Sequence, residues 1–296
     1  MSAAAFFGAL ELGFLFGIVA LGVYISFRIL DFPDLTVEGS LPMGAAVAAT
    51  LIVAGYDPFV STLIAMAAGA VSGLITALLN VKLKILHLLA SILTMTALYS
   101  VNLRIIGKPN VSLLGEDTVF SAFEWIGLPY QYLTPLIFMA VALVVLFLLN
   151  FFLTSETGLA MRATGANRRM ARAQGIHTSV SVCLGMAISN ALVSLAGALF
   201  AQSQGGADVS MGVGVIVTGL AAVVIGEALM PSRRILFAAF ACIVGSILYQ
   251  LAVALAMNAS FIGLQAQDLK LITAILVVVA MTLPTLRGQI AKRKSQ

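Results

Sequence analysis

Charge is scarce in this chain. Only 9% of its 296 residues are Asp, Glu, Lys or Arg, where a soluble domain carries about 25%. Histidine and cysteine occur twice each and tryptophan once. Each shortage excludes something. Cys183 and Cys242 both fall inside apolar runs, so they read as small packing residues and no disulfide is expected. His87 and His177 stand alone at loop edges, with no Cys or carboxylate at ligand spacing, which argues against a metal centre. Gly107-Lys108-Pro109 lacks the glycine and hydroxyl of a phosphate loop, so no ATP site is expected on this chain. No paired-Asp, Ser/His or zinc motif of an intramembrane protease is evident. The first apolar run has no basic segment before it and continues to Phe27, so a retained span is expected rather than a cleaved signal.

What fills the space is apolar: 61% hydrophobic residues and a mean hydropathy of +1.08. This composition predicts an all-α polytopic membrane protein, a single transmembrane domain over 1–296. A span needs about 20 largely apolar residues. The runs lie at 6–27, 41–55, 59–80, 85–106, 132–153, 180–201, 212–230, 235–257 and 269–287, nine in all with the second short. If they alternate, Lys82, Lys84, Arg162, Arg168, Arg169, Arg172, Arg233, Arg234, Arg287, Lys292, Arg293 and Lys294 share one side. Only Arg104, Lys108 and Lys270 fall on the other. The excess marks the cytoplasm, which puts the C-terminus inside and the N-terminus outside. Because the basic residues sit in short loops, nucleic acid is not expected as a partner; the lipid bilayer is.

The longest polar interruption is 154–179. Arg168 and Arg172 share a helical face at i, i+4, and Ala163, Ala166, Met170 and Ala173 form a small apolar stripe. Gly165 and Gly175 bracket the pattern, with Asn167 suited to an N-cap and Gly175 to the position after the helix. Two readings remain: an ordinary positive-inside loop, or a docking element for a cytoplasmic partner. On the other side, 108–131 carries Glu116, Asp117, Glu124, Trp125, Tyr130 and Tyr132. It reads either as an interfacial aromatic belt or as a surface helix touching a delivery protein.

Two segments break the helical pattern in similar ways. Asp31–Pro42 contains Asp34-Leu35-Thr36, and Gln202–Gly214 contains Asp208-Val209-Ser210. With opposite span directions before them, they predict two broken helices in an inverted repeat, with halves 1–153 and 180–287. A charged group at bilayer depth is expensive, so such residues face protein or a water-filled path. Asp31, Asp34, Thr36, Glu38, Asn190, Gln202, Gln204, Asp208 and Ser210 are therefore candidates for a substrate pathway. The alternative has Asp34 or Thr36 capping a half-helix, Arg28 neutralising Asp31, and Glu227 pairing locally near Arg234.

Four segments in this order resemble one family. They are Phe27-Arg-Ile-Leu-Asp-Phe-Pro-Asp-Leu-Thr-Val-Glu-Gly-Ser40, then Arg162-Ala-Thr-Gly-Ala-Asn167 with Met170-Ala171 and Gly175-Ile176, then Gly205–Gly214 and Gly219–Glu227. Together they are similar to ABC importer permeases of the branched-chain amino acid type, in the branch named for tryptophan, tyrosine or unassigned substrates. The resemblance implies a multi-pass protein of the bacterial cytoplasmic (inner) membrane. It implies two copies working by alternating access, a substrate-binding protein outside, and a separate ABC ATPase inside that carries ATP and Mg. It makes Arg162, Gly165, Asn167, Arg168, Arg169, Arg172 and Gly175 the ATPase coupling segment, and an amino acid the solute. A secondary transporter using Asp34 and Glu38 as proton or cation sites is the alternative, and a passive channel a weaker one.

Overall fold

The structure, a computed structural model, describes residues 3–127, 129–232 and 234–258, together with 274, 275 and 278. Its helices are α1 (Ala3–Val23), α2 (Val37–Val53), α3 (Pro58–Val81), α4 (His87–Ile106), α5 (Tyr130–Thr154), α6 (Glu156–Ala166), α7 (Arg168–Ala173), α8 (Thr178–Gln204), α9 (Val215–Leu229) and α10 (Ile235–Asn258). Two short strands, β1 (Asn110–Ser112) and β2 (Gly206–Asp208), pair antiparallel with Asn110 opposite Asp208.

Seven helical segments among the described residues are long and apolar enough to cross a bilayer. Helix α2, at 17 residues, is shorter; at about 1.5 Å per residue it falls below a hydrocarbon core of about 30 Å. Of the run at 269–287 only 274, 275 and 278 are among the described residues, so the ninth span lies outside what is described. The helix ends follow local chemistry. Asp57 opens α3 by accepting from Phe59 N at 2.9 Å and Val60 N at 3.0 Å, with Pro58 at the first helical position.

Contacts between helix ends fix which ends share a side. At one end Arg28 Nε lies 2.7 Å from Glu227 Oε1, and Gly165 of α6 packs on the Ile29 carbonyl. Lys84 and Arg168 line one cavity there. At the other end β1 meets β2, and Val119 N donates to Gln202 Oε1 at 2.9 Å. This matches alternating spans, and the concentration of basic residues makes the first end cytoplasmic.

Helix α8 is the central post, buried along most of its length and packed on α1, α2, α3 and α6. Gly69 and Gly73 of α3 lie directly against Met186, Asn190 and Ser194 of α8; any Cβ there would collide. Small residues at a crossing let backbones approach closely in lipid. Ser194 Oγ then reaches Ala65 O at 2.7 Å, and Ser189 Oγ reaches Gly22 O at 2.7 Å.

Both breaks are narrower than the sequence implies. The first covers 30–36: α2 is helical from Val37, with Gly39 and Pro42 inside it. Pro42 has no N–H for the Glu38 carbonyl, and Gly212 packs on that carbonyl and on the Pro42 ring. Contact from the second break thus covers the irregularity that proline introduces. The second break covers 205–214, because Gln202 and Gln204 belong to α8, which ends at Gly205 with φ +70°.

Candidate functional site

Most of the residues marked out by the sequence fall in two regions: a buried polar seam and the cytoplasmic loop. The seam starts where α1 widens into a π-helical turn, Tyr24–Ile29, and Leu30 N donates to Ile25 O at 3.0 Å. Asp31 follows with φ +52°, a left-handed conformation uncommon outside glycine. The chain then turns inward, burying Phe32 edge-on against the His87 ring, with centroids 4.6 Å apart.

Asp34 is buried. Its Oδ1 accepts from Thr36 N at 2.9 Å and its Oδ2 from Asn190 Nδ2 at 2.8 Å. Asn190 Oδ1 accepts from Ser40 Oγ at 2.7 Å, and Ser40 Oγ lies 2.8 Å from Ser72 Oγ. Thr36 Oγ1 lies 2.8 Å from Thr76 Oγ1, so Thr36 occupies the cap position of α2 without capping it. One carboxylate, one amide and four hydroxyls thereby tie α2, α3 and α8 together. In a low-dielectric interior such a network is strong when satisfied and punishing when broken, so its chemical effect is to fix helix register.

The remaining pathway candidates lie elsewhere. Glu38 is half-buried and its Oε1 accepts from Gly214 N at 3.1 Å, joining the start of α2 to the start of α9. Gln202 is buried nearer the outer end, where its Nε2 donates to Thr62 Oγ1 at 2.9 Å. Gln204 is exposed. Asp208 closes β2, and its Oδ1 accepts from both Ser210 N, at 2.7 Å, and the Ser210 hydroxyl. Those donors hold the Asp208 carboxyl below the usual carboxylate range.

Among the described residues Asp31 does not pair with Arg28, nor does Glu227 pair with Arg234. Arg28 bonds Glu227 instead. Asp31, left-handed just beyond the π-helical turn, is exposed and close to Arg168 and His87.

The cytoplasmic loop is two helices joined at Asn167, whose Oδ1 accepts from Arg169 N and Met170 N, both at 3.0 Å. At the far end Gly175 has φ +82°, Gly175 N bonds Arg172 O and Ile176 N bonds Ala171 O, each at 3.0 Å. That is a Schellman closure, which glycine accommodates without strain. Gly165 is not a boundary of this helix. It lies inside α6, where only a hydrogen fits against Ile29 O.

The two faces of α7 differ. Ala171 is buried, Arg168 is half-buried, and Arg172 Nε donates to Thr178 Oγ1 at 2.9 Å. Arg169, Met170 and Ala173 are exposed, Met170 by 53%. The apolar stripe at Ala166, Met170 and Ala173 therefore faces away from the spans. Arg162 is half-buried on α6. Desolvation pulls the Arg168 guanidinium below its ordinary value, with Asp31 opposing and Arg172 adding to the shift.

Sequence reading passed over Ser40, Ser72, Thr76, Thr62 and Ser194. The signal lay in α3, where Thr62, Ala65, Gly69, Ser72, Gly73 and Thr76 recur at three- and four-residue spacing and mark a small, polar face. The outer segment holds a 3-10 turn, Ser121–Ile126, with Trp125 82% exposed, and it contributes β1. Among the described residues no three His, Cys, Asp or Glu side chains gather as a metal site. Cys242 is buried and Cys183 half-buried, both free.

Comparison with known proteins places this arrangement. A tyrosine transport system permease protein of Clostridioides difficile (strain R20291) is 38% identical over 94% of this chain and 91% of its own. An uncharacterized protein of Rickettsia prowazekii (strain Madrid E) is 35% identical over 93% and 95%. A solved structure, PsaBC from Streptococcus pneumoniae in complex with Fab, shares the fold with a TM-score of 0.52 at 16% identity, covering 96% of this chain and 94% of that one. The family described as "Branched-chain amino acid transport system / permease component" matches residues 5–282. Seven segments long and apolar enough to cross a bilayer accord with such a component, and the chain belongs to this permease family of multi-pass inner-membrane proteins.

Proposed function

We propose that this chain is the translocating subunit of an ATP-driven importer of an amino acid, working as a pair with a second copy. A separate cytoplasmic ABC ATPase, which holds ATP and Mg, docks on the outward face of α7. The observation that carries this reading is the two-sided character of α7: one face is tied to α8 while Arg169, Met170 and Ala173 are presented to the cytoplasm. Helix α6 sits on Ile29 through Gly165, next to the turn that leads to Asp34. A push on α7 therefore reaches the seam through two packed contacts, and the two states must differ in those contacts for energy to be transmitted. The 38% identity to a tyrosine permease supports an aromatic amino acid as the solute. The outer turn with its exposed Trp125 is the landing surface for a substrate-binding protein.

Arg169→Glu with Met170→Glu tests the docking face. Both side chains are exposed, so membrane insertion and yield should stay near wild type. Copurification with the ATPase should fall at least about tenfold, the result of losing roughly 1.4 kcal/mol of contact. Retention of the full complex with normal transport-coupled hydrolysis refutes the assignment.

A further inference from the structure

We propose that the cavity between α7, the start of α8 and the α3–α4 turn binds a phosphate-bearing anion, and that its occupant in the membrane is the headgroup of an anionic phospholipid. The cavity has a volume of about 390 Å³ and is lined by Lys84, His87, Arg168, Arg172, Thr178 and Ser179, among others. Three of these are cations, and among the described residues no carboxylate lines the cavity. Asp31 lies near Arg168 and is the acid that partly offsets them. His87 also lines the cavity, and its Nε2 is buried without a hydrogen-bond partner among the described residues. Lys84 takes φ +56° in the turn between α3 and α4, a conformation uncommon for a side chain with a Cβ.

The position decides the source of the anion. Asn80 and Val81 end α3, Leu86 and His87 begin α4, and Thr178 begins α8, so the cavity lies at the level where spans leave the bilayer. Around its mouth the apolar side chains face outward: Leu86 is 74% exposed and Leu83 65%, with Val180 at 64%. A lipid with its phosphate among Lys84, Arg168 and Arg172 has apolar surface beside it for its chains. Basic pockets between helices on the cytoplasmic side suit such headgroups, because the leaflet is itself anionic and concentrates the ligand there. Arg168 is half-buried with no bonded counterion among the described residues, and a phosphate supplies one. The ligand would join α7 to α8 and to the α3–α4 turn. Binding itself does not depend on α7 being the ATPase contact.

The test uses the full-length protein, purified in detergent and stripped of lipid. Melting is followed after adding phosphatidylglycerol, phosphatidylcholine or inorganic phosphate, in wild type, in Lys84→Gln/Arg168→Gln, and in Arg169→Gln, which removes one charge from the opposite face. Phosphatidylglycerol should raise the melting temperature of wild type and Arg169→Gln by about 3 °C or more, and of the double variant by less than about 1 °C. Native mass spectrometry should find a retained anionic lipid in the first two only. An equal rise from inorganic phosphate alone would keep the anion site and overturn the lipid assignment. No rise in wild type, or the same rise in the double variant, overturns the site.

Discussion

Asp34 and Asp208 make the same local turn in opposite surroundings. Each carboxylate accepts from the N–H two residues on, Thr36 N at 2.9 Å and Ser210 N at 2.7 Å. Such Asx turns need only a short acid or amide and a free N–H, so the shared Asp-aliphatic-hydroxyl pattern is accounted for locally. Beyond the turn the two diverge. Asp34 is sealed inside and its second oxygen takes the Asn190 amide, whereas Asp208 ends the short β1–β2 ladder and its carboxylate, among the described residues, accepts only from Ser210. Local similarity reports local geometry; burial is decided by what the rest of the chain brings alongside.

If burial is what separates the two turns, their variants must separate in size. Asn190→Leu should be the most damaging. It removes the donor to Asp34 and the acceptor for Ser40, leaving a buried carboxylate short of a partner at a cost of about 3–5 kcal/mol. Thermal unfolding of the solubilised protein should show it, and a loss under about 1 kcal/mol would erase the distinction. Gln202→Leu comes next, because it frees Val119 N and Thr62 Oγ1 for about 1–3 kcal/mol. Limited proteolysis should then cut 107–127 sooner while the spans stay intact.

The smallest effect belongs to Asp208→Asn, a few tenths of a kcal/mol at a solvent-screened turn. Its pH dependence sharpens the point. The Ser210 donors lower the folded value of this carboxyl, so its contribution is present above the ordinary carboxylate value of about 4 and disappears as pH falls through the lowered one. The wild-type advantage in melting temperature should be flat from neutrality to about pH 4 and vanish below it. An advantage that grows on acidification would reverse the assignment.

Much of the fold was legible because span length and charge placement are properties of a stretch of chain. Eight of the apolar runs correspond to helices, with the second short as its length implied. The caps of α7 were legible for the same reason, since Asn167 and Gly175 act on residues within three positions. What escaped was non-local. Nothing near Arg28 indicates that Glu227, rather than Asp31, will meet it. Gly165 reads as a helix boundary until Ile29 is seen against it. The strand pair was invisible too: three residues at 110–112 acquire extended structure only because 206–208 arrive beside them.

The distance along the chain between Asp34 and Asn190 also sets a timetable. They are 156 residues apart, so at synthesis rates of about 5–20 residues per second the carboxylate precedes its amide by about 8–30 s. Throughout that interval α2 is short, carries at its entrance an acid whose second oxygen lacks its Asn190 partner, and has no α8 to lean on. The first half of the chain is therefore not a finished piece that waits for a second. Nascent chains stalled before residue 190 should remain exposed to membrane quality-control proteases, while those stalled after 204 escape them.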